Sequence, residues 1–329
     1  MNAFLELSEL GKCYDTVQGP VVIVKDFNLR VNEGEFVCII GHSGCGKSTV
    51  LSIVMGLNEA STGGVILAGR EISGPGLERG VVFQSSALLP WMTAEQNVLL
   101  AVEQVNPLKR RRERRELADH FLAAVGLQAI ADCYPEELSA GMRQRVGIAR
   151  AFALEPKVLL LDEPFSLLDV VTRMELQDEL MELWQKERKT VLMVTHDVDE
   201  ALLLADRIVM MTGGPAATVG DIVTVPFARP RSRLGMADDE CYQLTRNRLL
   251  DFLETRGGHS QAPARLTESE QHPSLPAPAA EELFIVEKYS GFNRFRARYR
   301  QWEPRLQAPP GASAASIAGL APVRRENAV

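Results

Sequence analysis

Four short segments carry apolar residues at nearly every position: "EFVCIIG" (35–41), "GVVFQ" (80–84), "KVLLLDEP" (157–164) and "TVLMVTHD" (190–197). A strand with one wet face alternates apolar and polar residues. An unbroken apolar run means that both faces are covered, as in a parallel sheet between two layers of helix. Between these runs, "KSTVLSIVMGL" and "MELQDELMELWQKE" place apolar residues at three- and four-residue steps, the spacing of a helix with one buried stripe. The alternation continues to about position 230 and predicts an α/β fold with a mostly parallel core sheet. Beyond it the pattern changes. "HSQAPARLTESEQHPSLPAPAAEE" (259–282) is rich in proline, alanine and polar residues and reads as a linker, and 308–329 is similar. The predicted division is a domain over 1–230 and an extension over 231–329, partly helical and largely irregular.

Composition narrows the classes. The chain has 329 residues, of which 46% are hydrophobic, enough for a sizeable core. A net charge of −7 argues against a protein built to coat nucleic acid. The basic run "KRRRERRE" (109–116) lies in a helical pattern and reads as a solvated face. The opening "MNAFLELSELG" lacks the basic and apolar regions of a signal peptide, and no apolar run approaches the roughly 20 residues that span a bilayer. Five cysteines, an odd number with no C-x-x-C pair, suggest neither a disulfide framework nor a zinc site. A reduced, cytosolic chain is expected.

"GHSGCGKST" (41–49) fits G-x-x-x-x-G-K-[ST] in full, directly after a predicted strand and before a predicted helix. Gly44 and Gly46 let the backbone wrap so that N–H groups point at phosphate oxygens. Lys47 would reach the outer phosphates, and Ser48 would offer its hydroxyl to Mg²⁺. His42 and Cys45 fill variable positions, and no metal site is read there. "VLLLDEP" ends an apolar strand in Asp162, which places a carboxylate at the sheet edge beside the loop to hold the metal. Glu163 follows as the natural general base for an attacking water. Together the two motifs predict Mg²⁺-dependent hydrolysis of a nucleoside triphosphate.

"LSAGMRQR" (138–145) adds a second phosphate-binding feature, a serine and a glycine opening a helix. The ordered set "GHSGCGKST", "LSAGMRQRVGIARA", "VLLLDEPFSLLD" and "VTHD" resembles the ATPase subunit of an ABC transporter over about the first 230 residues. That resemblance implies a P-loop fold with a helical subdomain at about 85–156. It implies ATP and Mg²⁺ as ligands, with Gly41, His42, Ser43, Gly44, Cys45, Gly46, Lys47, Ser48 and Thr49 around the phosphates and Tyr14 stacking on adenine. Ser48, Gln84 and Asp162 would serve the metal, and Glu163, His196, Gln84 and Asp169 catalysis. Ser139, Ala140 and Gly141 would close over the ATP of an opposing subunit, so that two chains complete two sites. Ala140 departs from the family's usual glycine and Met142 from a frequent glutamine; the methyl of Ala140, close to the phosphate path, puts the strength of that closure in question, but Gly141 is kept and the site is expected to work.

The resemblance also implies partners: a second ATPase subunit, identical or related, membrane permease subunits and, indirectly, a periplasmic solute-binding protein, with the chain peripheral on the cytoplasmic face of the membrane. "SSALLPWMTAEQNV" (85–98) resembles the patch that receives a permease; the alternative is that Leu88, Leu89 and Trp91 pack inside the subdomain. The stretches around Met142 and "GGPAATVGDI" are similar to importers of nitrate, sulfonate and taurine, most of all the nitrate type. A soluble ABC ATPase of DNA repair would separate its P-loop and signature by long heptads, which are missing between 49 and 138, and a ribosomal ABC factor would carry two P-loops. In the extension, Phe292, Phe295, Tyr299 and Trp302 recur at helical spacing among Arg294, Arg296, Arg298 and Arg300. This predicts an amphipathic helix, either docked on the domain or resting on lipid or permease.

Overall fold

A computed structural model describes residues 3–17 and 19–256. Along the chain run β1 (Leu5–Thr16), β2 (Gly19–Val31), β3 (Phe36–Ile40), α1 (Lys47–Met55), β4 (Thr62–Leu67), β5 (Arg70–Glu71) and β6 (Arg79–Val82). Helices α2 (Ala94–Val105), α3 (Arg111–Ala124) and α4 (Ala140–Ala153) follow, then β7 (Val158–Asp162), α5 (Val170–Glu187), β8 (Thr190–Val194) and α6 (Val198–Leu204). The last described elements are β9 (Arg207–Met211), β10 (Val219–Thr224), α7 (Arg233–Ala237) and α8 (Glu240–Arg256).

The four apolar runs become β3, β6, β7 and β8, which lie in one sheet of order β10-β9-β3-β8-β7-β6. All neighbours from β9 to β6 pair in parallel, and β10 closes the edge antiparallel to β9. Successive side chains of a strand face opposite layers, so each run feeds two cores. Phe36, Cys38 and Ile40 of β3 join Leu159 and Leu161 of β7 in the layer built with α2–α6. Val37 and Ile39 join Val158 and Leu160 in the layer closed by α1 and the second sheet. That second sheet, β2-β1-β4-β5, is antiparallel and lies outside what the apolar runs predict. Its long strands are broken by register shifts between Leu7 and Leu10 and between Leu10 and Cys13, which interrupt any period-two signal.

Helices α2, α3 and α4 form the helical subdomain. Thr93 Oγ1 caps α2 by accepting from Gln96 N–H, and Thr93 N–H donates in return to Gln96 Oε1, the capping box. The basic run lies on α3 as a solvated face, with Arg112 paired to Glu116, Arg114 to Glu103 and Arg115 to Glu95. After position 230 the described chain stays helical. Met236 of α7 and Leu249 of α8 are buried in the same core as the sheet. The linker-like 259–282 and the aromatic stripe at 292–302 lie outside the described residues.

Candidate functional site

The phosphate loop is bounded by β3 and α1, and the core fixes both. Gly46 stands at the N-cap of α1 with φ +103°, and Gly44 has φ +77°. These left-handed conformations suit glycine and turn the loop back on itself. Lys47 is nearly fully buried, and its ammonium donates to the carbonyls of Gly41 (2.8 Å) and His42 (2.9 Å). An ammonium has three donors, so one remains for a phosphate oxygen. The loop residues His42, Ser43, Gly44 and Cys45 line a cleft of about 270 Å³ with Ile23, Gly214 and Pro215.

Asp162, 114 positions from Ser48, joins the same place. Ser48 Oγ donates to Asp162 Oδ1 at 2.9 Å, because α1 starts where β3 ends and β7 ends two strands across. Burial pushes the Asp162 carboxyl above its ordinary range; the Ser48 bond pulls it down, Glu163 pushes it up again, and Lys47 opposes. A hydroxyl and a desolvated carboxylate side by side are hard oxygen donors in want of a cation.

Glu163 follows β7 with φ +44°, a strained conformation for a side-chain-bearing residue, and its N–H donates to Val194 O at 3.0 Å. The turn places Glu163 Oε2 3.2 Å from His196 Nδ1 at the end of β8. Gln84, just past β6, donates to Ser166 Oγ (3.0 Å), whose own hydroxyl donates to Glu163 O (3.0 Å). The ends of β6, β7 and β8 thus converge, as expected at the C-terminal edge of an open parallel sheet. A second, narrow cleft is lined by Glu163, Ser166, Arg173, Thr195, His196, Asp197 and Glu200. Glu200 is buried against Gln177 (2.7 Å); burial pushes its carboxyl up, while bonds from Thr195 and Gln177 resist.

Other expected residues stand apart. Asp169 caps α5 by accepting from Thr172 N–H (3.1 Å); hydrogen bonds from the Thr172 side chain and then from its N–H hold the exposed carboxyl below the ordinary range. Tyr14 is partly exposed, accepts a bond from Asn58 (2.7 Å) and has Lys12 4.8 Å above its ring, but it is not among the residues lining the loop cleft. Ser139 caps α4 by accepting from Met142 N–H at 3.2 Å. Ala140 is exposed at the head of that helix, and Gly141 is buried, where a Cβ would meet Thr172 Cγ2 at 2.4 Å. None of the three lines either cleft of its own chain. Of the apolar patch after Gln84, Leu88 packs against the core, as the packing alternative expects, while Trp91 stays 61% exposed.

Two contributors and one bond leave no trace in the sequence. Ile23 and the Gly214–Pro215 turn wall the loop cleft from distant strands. His42, apparently a variable filler, donates from Nε2 to the carbonyl of Leu253 in α8 at 2.7 Å, across 211 positions.

Comparisons with known proteins now bear on this geometry. A family model described as "ABC transporter" matches residues 24–166. The bicarbonate transport ATP-binding protein CmpD of Synechococcus elongatus is 54% identical over 258 residues, covering 78% of this chain and 93% of that protein. The nitrate import ATP-binding protein NrtD of the same organism is 51% identical over 78% of this chain and 94% of its own. The nitrate transport protein NasD of Klebsiella oxytoca is 47% identical over 77% of this chain and 97% of its own. Among solved structures, the dimeric post-hydrolysis state of the ATP-binding cassette MJ0796 bound to ADP and Pi aligns with a TM-score of 0.61 and 31% identity, over 68% of this chain and 100% of that one. Identity near one half, sustained over more than nine-tenths of each of these relatives, places the chain in the ABC transporter family, as one of its ATP-binding, ATP-hydrolysing subunits.

Proposed function

We propose that this subunit works as one of a pair on the cytoplasmic face of a membrane, where ATP-driven closing and opening powers import of a small oxyanion, nitrate or bicarbonate, through separate permease chains. The solute class rests on the relatives, which are named for bicarbonate and for nitrate. Both solutes are compact oxyanions, and an ATPase site that never touches them leaves the choice to other chains. Among the described residues no helix is long and apolar enough to cross a membrane, so the pore belongs to a partner. Trp91, exposed in the segment that follows Gln84, is our candidate for the face that meets that partner.

Within the site, the loop N–H groups and Lys47 bind and orient the phosphates, with Tyr14 and Ile23 beside the base and ribose. Ser48 and Asp162 fit a Mg²⁺ ion, and Gln84 would serve it too; the ion, when bound, would neutralise charge on the outer phosphates. Glu163 takes the proton of the attacking water. A proton on His196 Nδ1 directed at Glu163 leaves Nε2 available for the terminal phosphate. Asp169, by capping α5, fixes the turn that leads from Glu163 towards the partner.

The observation that carries the paired reading is Ser139. It heads a helix of 14 residues whose first-turn amides are oriented for an anion, yet it lines neither of the two clefts described above. Glu163→Gln keeps shape and removes the base, so with ATP and Mg²⁺ it should accumulate as a stable dimer by size-exclusion chromatography and light scattering. A variant that stays monomeric at saturating ATP, alone and mixed with any companion ATPase chain, overturns the pairing. Uptake of labelled nitrate and of labelled bicarbonate by cells expressing the complete transporter separates the two solutes.

A further inference from the structure

Helix α8 is bonded both to the phosphate loop and to α6, the helix that follows His196. Near its start, Tyr242 Oη and Arg246 Nε each donate to Asp199 Oδ1 at 2.6 Å, and Arg246 Nη2 reaches Oδ2 at 3.2 Å. Asp199 lies in the first turn of α6, three residues after His196. Burial would raise its carboxyl, but the bonds from Arg246 and Tyr242 prevail and hold it below the ordinary range, while the Tyr242 hydroxyl, part-buried beside that charge, is pushed up to about 12. Near the end of α8, the carbonyl of Leu253 receives the ring N–H of His42 from the phosphate loop.

The carbonyl of Leu253, in the last described turn of α8, is the acceptor for the phosphate loop. A carbonyl only accepts, so the bond requires the His42 proton on Nε2 and fixes the ring's tautomer. From residue 246 to 253 the helix advances about 10 Å, which sets the spacing of the two attachments. Leu249, midway between them, is wholly buried in the core, and Phe252 packs so closely on Gly220 that a Cβ there would meet its ring at 2.4 Å. A helix anchored in its middle and bonded at both ends transmits position rather than yielding to it.

We propose that α8 is a positioning brace of the ATPase site. It holds the helix behind His196 at a set distance from the phosphate loop, with His42, Tyr242 and Arg246 as positioning residues. The inference rests on the roles proposed above for Lys47 and His196. It differs from a purely structural docking of α8 in what it predicts for kinetics. Releasing the loop end loosens nucleotide binding; releasing the α6 end slows turnover of nucleotide already bound.

The test uses the full-length protein in steady-state ATPase assays, with melting temperatures measured alongside. His42→Phe, which keeps a planar ring without the donor, should raise KM for ATP about three- to tenfold, the scale of one lost hydrogen bond, with kcat within twofold. His42→Gln, which retains an N–H donor, should restore most of the loss. Tyr242→Phe combined with Arg246→Ala should lower kcat by a similar factor with KM within twofold, and Arg246→Lys alone should keep most of the rate. If KM and kcat stay put while only the melting temperature falls, or if they shift together in proportion to it, α8 packs and does not position. Should the double variant fail to fold, the comparison of His42→Phe with His42→Gln decides by itself. Lys47→Ala is the control: an unimpaired Lys47→Ala protein would overturn the site assignment beneath the brace, whereas a dead one with unshifted α8 variants overturns the brace alone.

Discussion

The phosphate loop contains two glycines in left-handed conformations, and the structure predicts that they tolerate a methyl group differently. At Gly44, φ is +77° and a Cβ would meet nothing within 4 Å. At Gly46, φ is +103° and the same Cβ would stand 2.9 Å from Ile23 Cγ2 and 3.0 Å from Val24 Cγ2. Both alanine variants carry the backbone penalty of an L-residue at positive φ, about 1–2 kcal/mol. Only Gly46→Ala adds a steric term. The two methyls it meets belong to β-branched side chains of β2 that have little rotamer freedom, and Val24 is wholly buried, so overpacking adds about 1–3 kcal/mol. The totals are about 1–2 kcal/mol at 44 and about 2–5 kcal/mol at 46.

That energy can surface in two ways, and their sum is the prediction. If the loop keeps its shape, the nucleotide-free protein is destabilised and binding is spared. If the loop relaxes to escape the clash, stability is spared and ATP must pull it back, weakening binding by about tenfold for each 1.4 kcal/mol. Melting without nucleotide, at about 2–4 °C per kcal/mol for a domain of this size, gives the first part. Titration with a fluorescent ATP analogue gives the second. Added together, the loss for Gly46→Ala should exceed that for Gly44→Ala by at least about 1 kcal/mol. Equal sums for the two variants would refute the steric argument, and a Gly46→Ala protein unchanged in both assays would refute the loop geometry itself.

Two further outcomes follow from other parts of the structure. Glu200 has a carboxyl raised from its ordinary value of 4.5 by burial, so its contribution to stability is complete below that value and is lost as pH rises through the higher folded-state value. Glu200→Gln keeps hydrogen-bonding capacity without the charge; its melting temperature should therefore gain on wild type as pH goes from 4.5 towards 8, and a constant difference across that range would show that the carboxyl is not held back by burial. Trp91, 61% exposed, should be dispensable to the isolated subunit, so Trp91→Ala should leave its ATPase rate within twofold and its melting temperature unchanged while solute uptake by the complete transporter falls severalfold; full uptake would remove Trp91 from the permease-facing surface.

What was legible in the sequence is what depends on local chemistry. The strands β3, β6, β7 and β8 announce themselves because burial on both faces leaves no polar position to dilute the signal. The phosphate loop, Asp162 and Glu163 are readable because the chemistry needs fixed residue types at the end of a strand. Ser48 meeting Asp162 across 114 positions follows from that topology alone. Other features depend on partners that no pattern encodes. β1 and β2 are long but their register shifts scramble alternation, and the hydrogen-bonded Tyr14 is stationed on them without lining the cleft. α8 is polar overall, with Leu249 as its fully buried anchor, so its docking leaves little trace in periodicity. The bond from His42 ends on a backbone carbonyl, which every residue has, so no residue type at position 253 could have revealed it.

Ser139 shows why the chain reads as one and a half nucleotide sites. Its hydroxyl oxygen already accepts from Met142 N–H, which satisfies one amide of the first turn and leaves the hydroxyl proton to donate elsewhere. The remaining first-turn amides, with the positive end of a helix of 14 residues behind them, form a donor set directed outward. On the proposed pairing the acceptor is the terminal phosphate on a second subunit's loop, so affinity between subunits exists only while that phosphate does. Ala140 fits such a conditional contact. At the start of α4, alanine favours the helix over glycine by up to about 1 kcal/mol. Its methyl is exposed rather than packed on its own chain. The first turn is thereby formed before nucleotide arrives, and less of the phosphate's binding energy goes into ordering it. A pre-formed turn offsets part of what the extra methyl costs in closeness of approach, which is a physical reason why alanine in place of glycine is compatible with the proposed pairing.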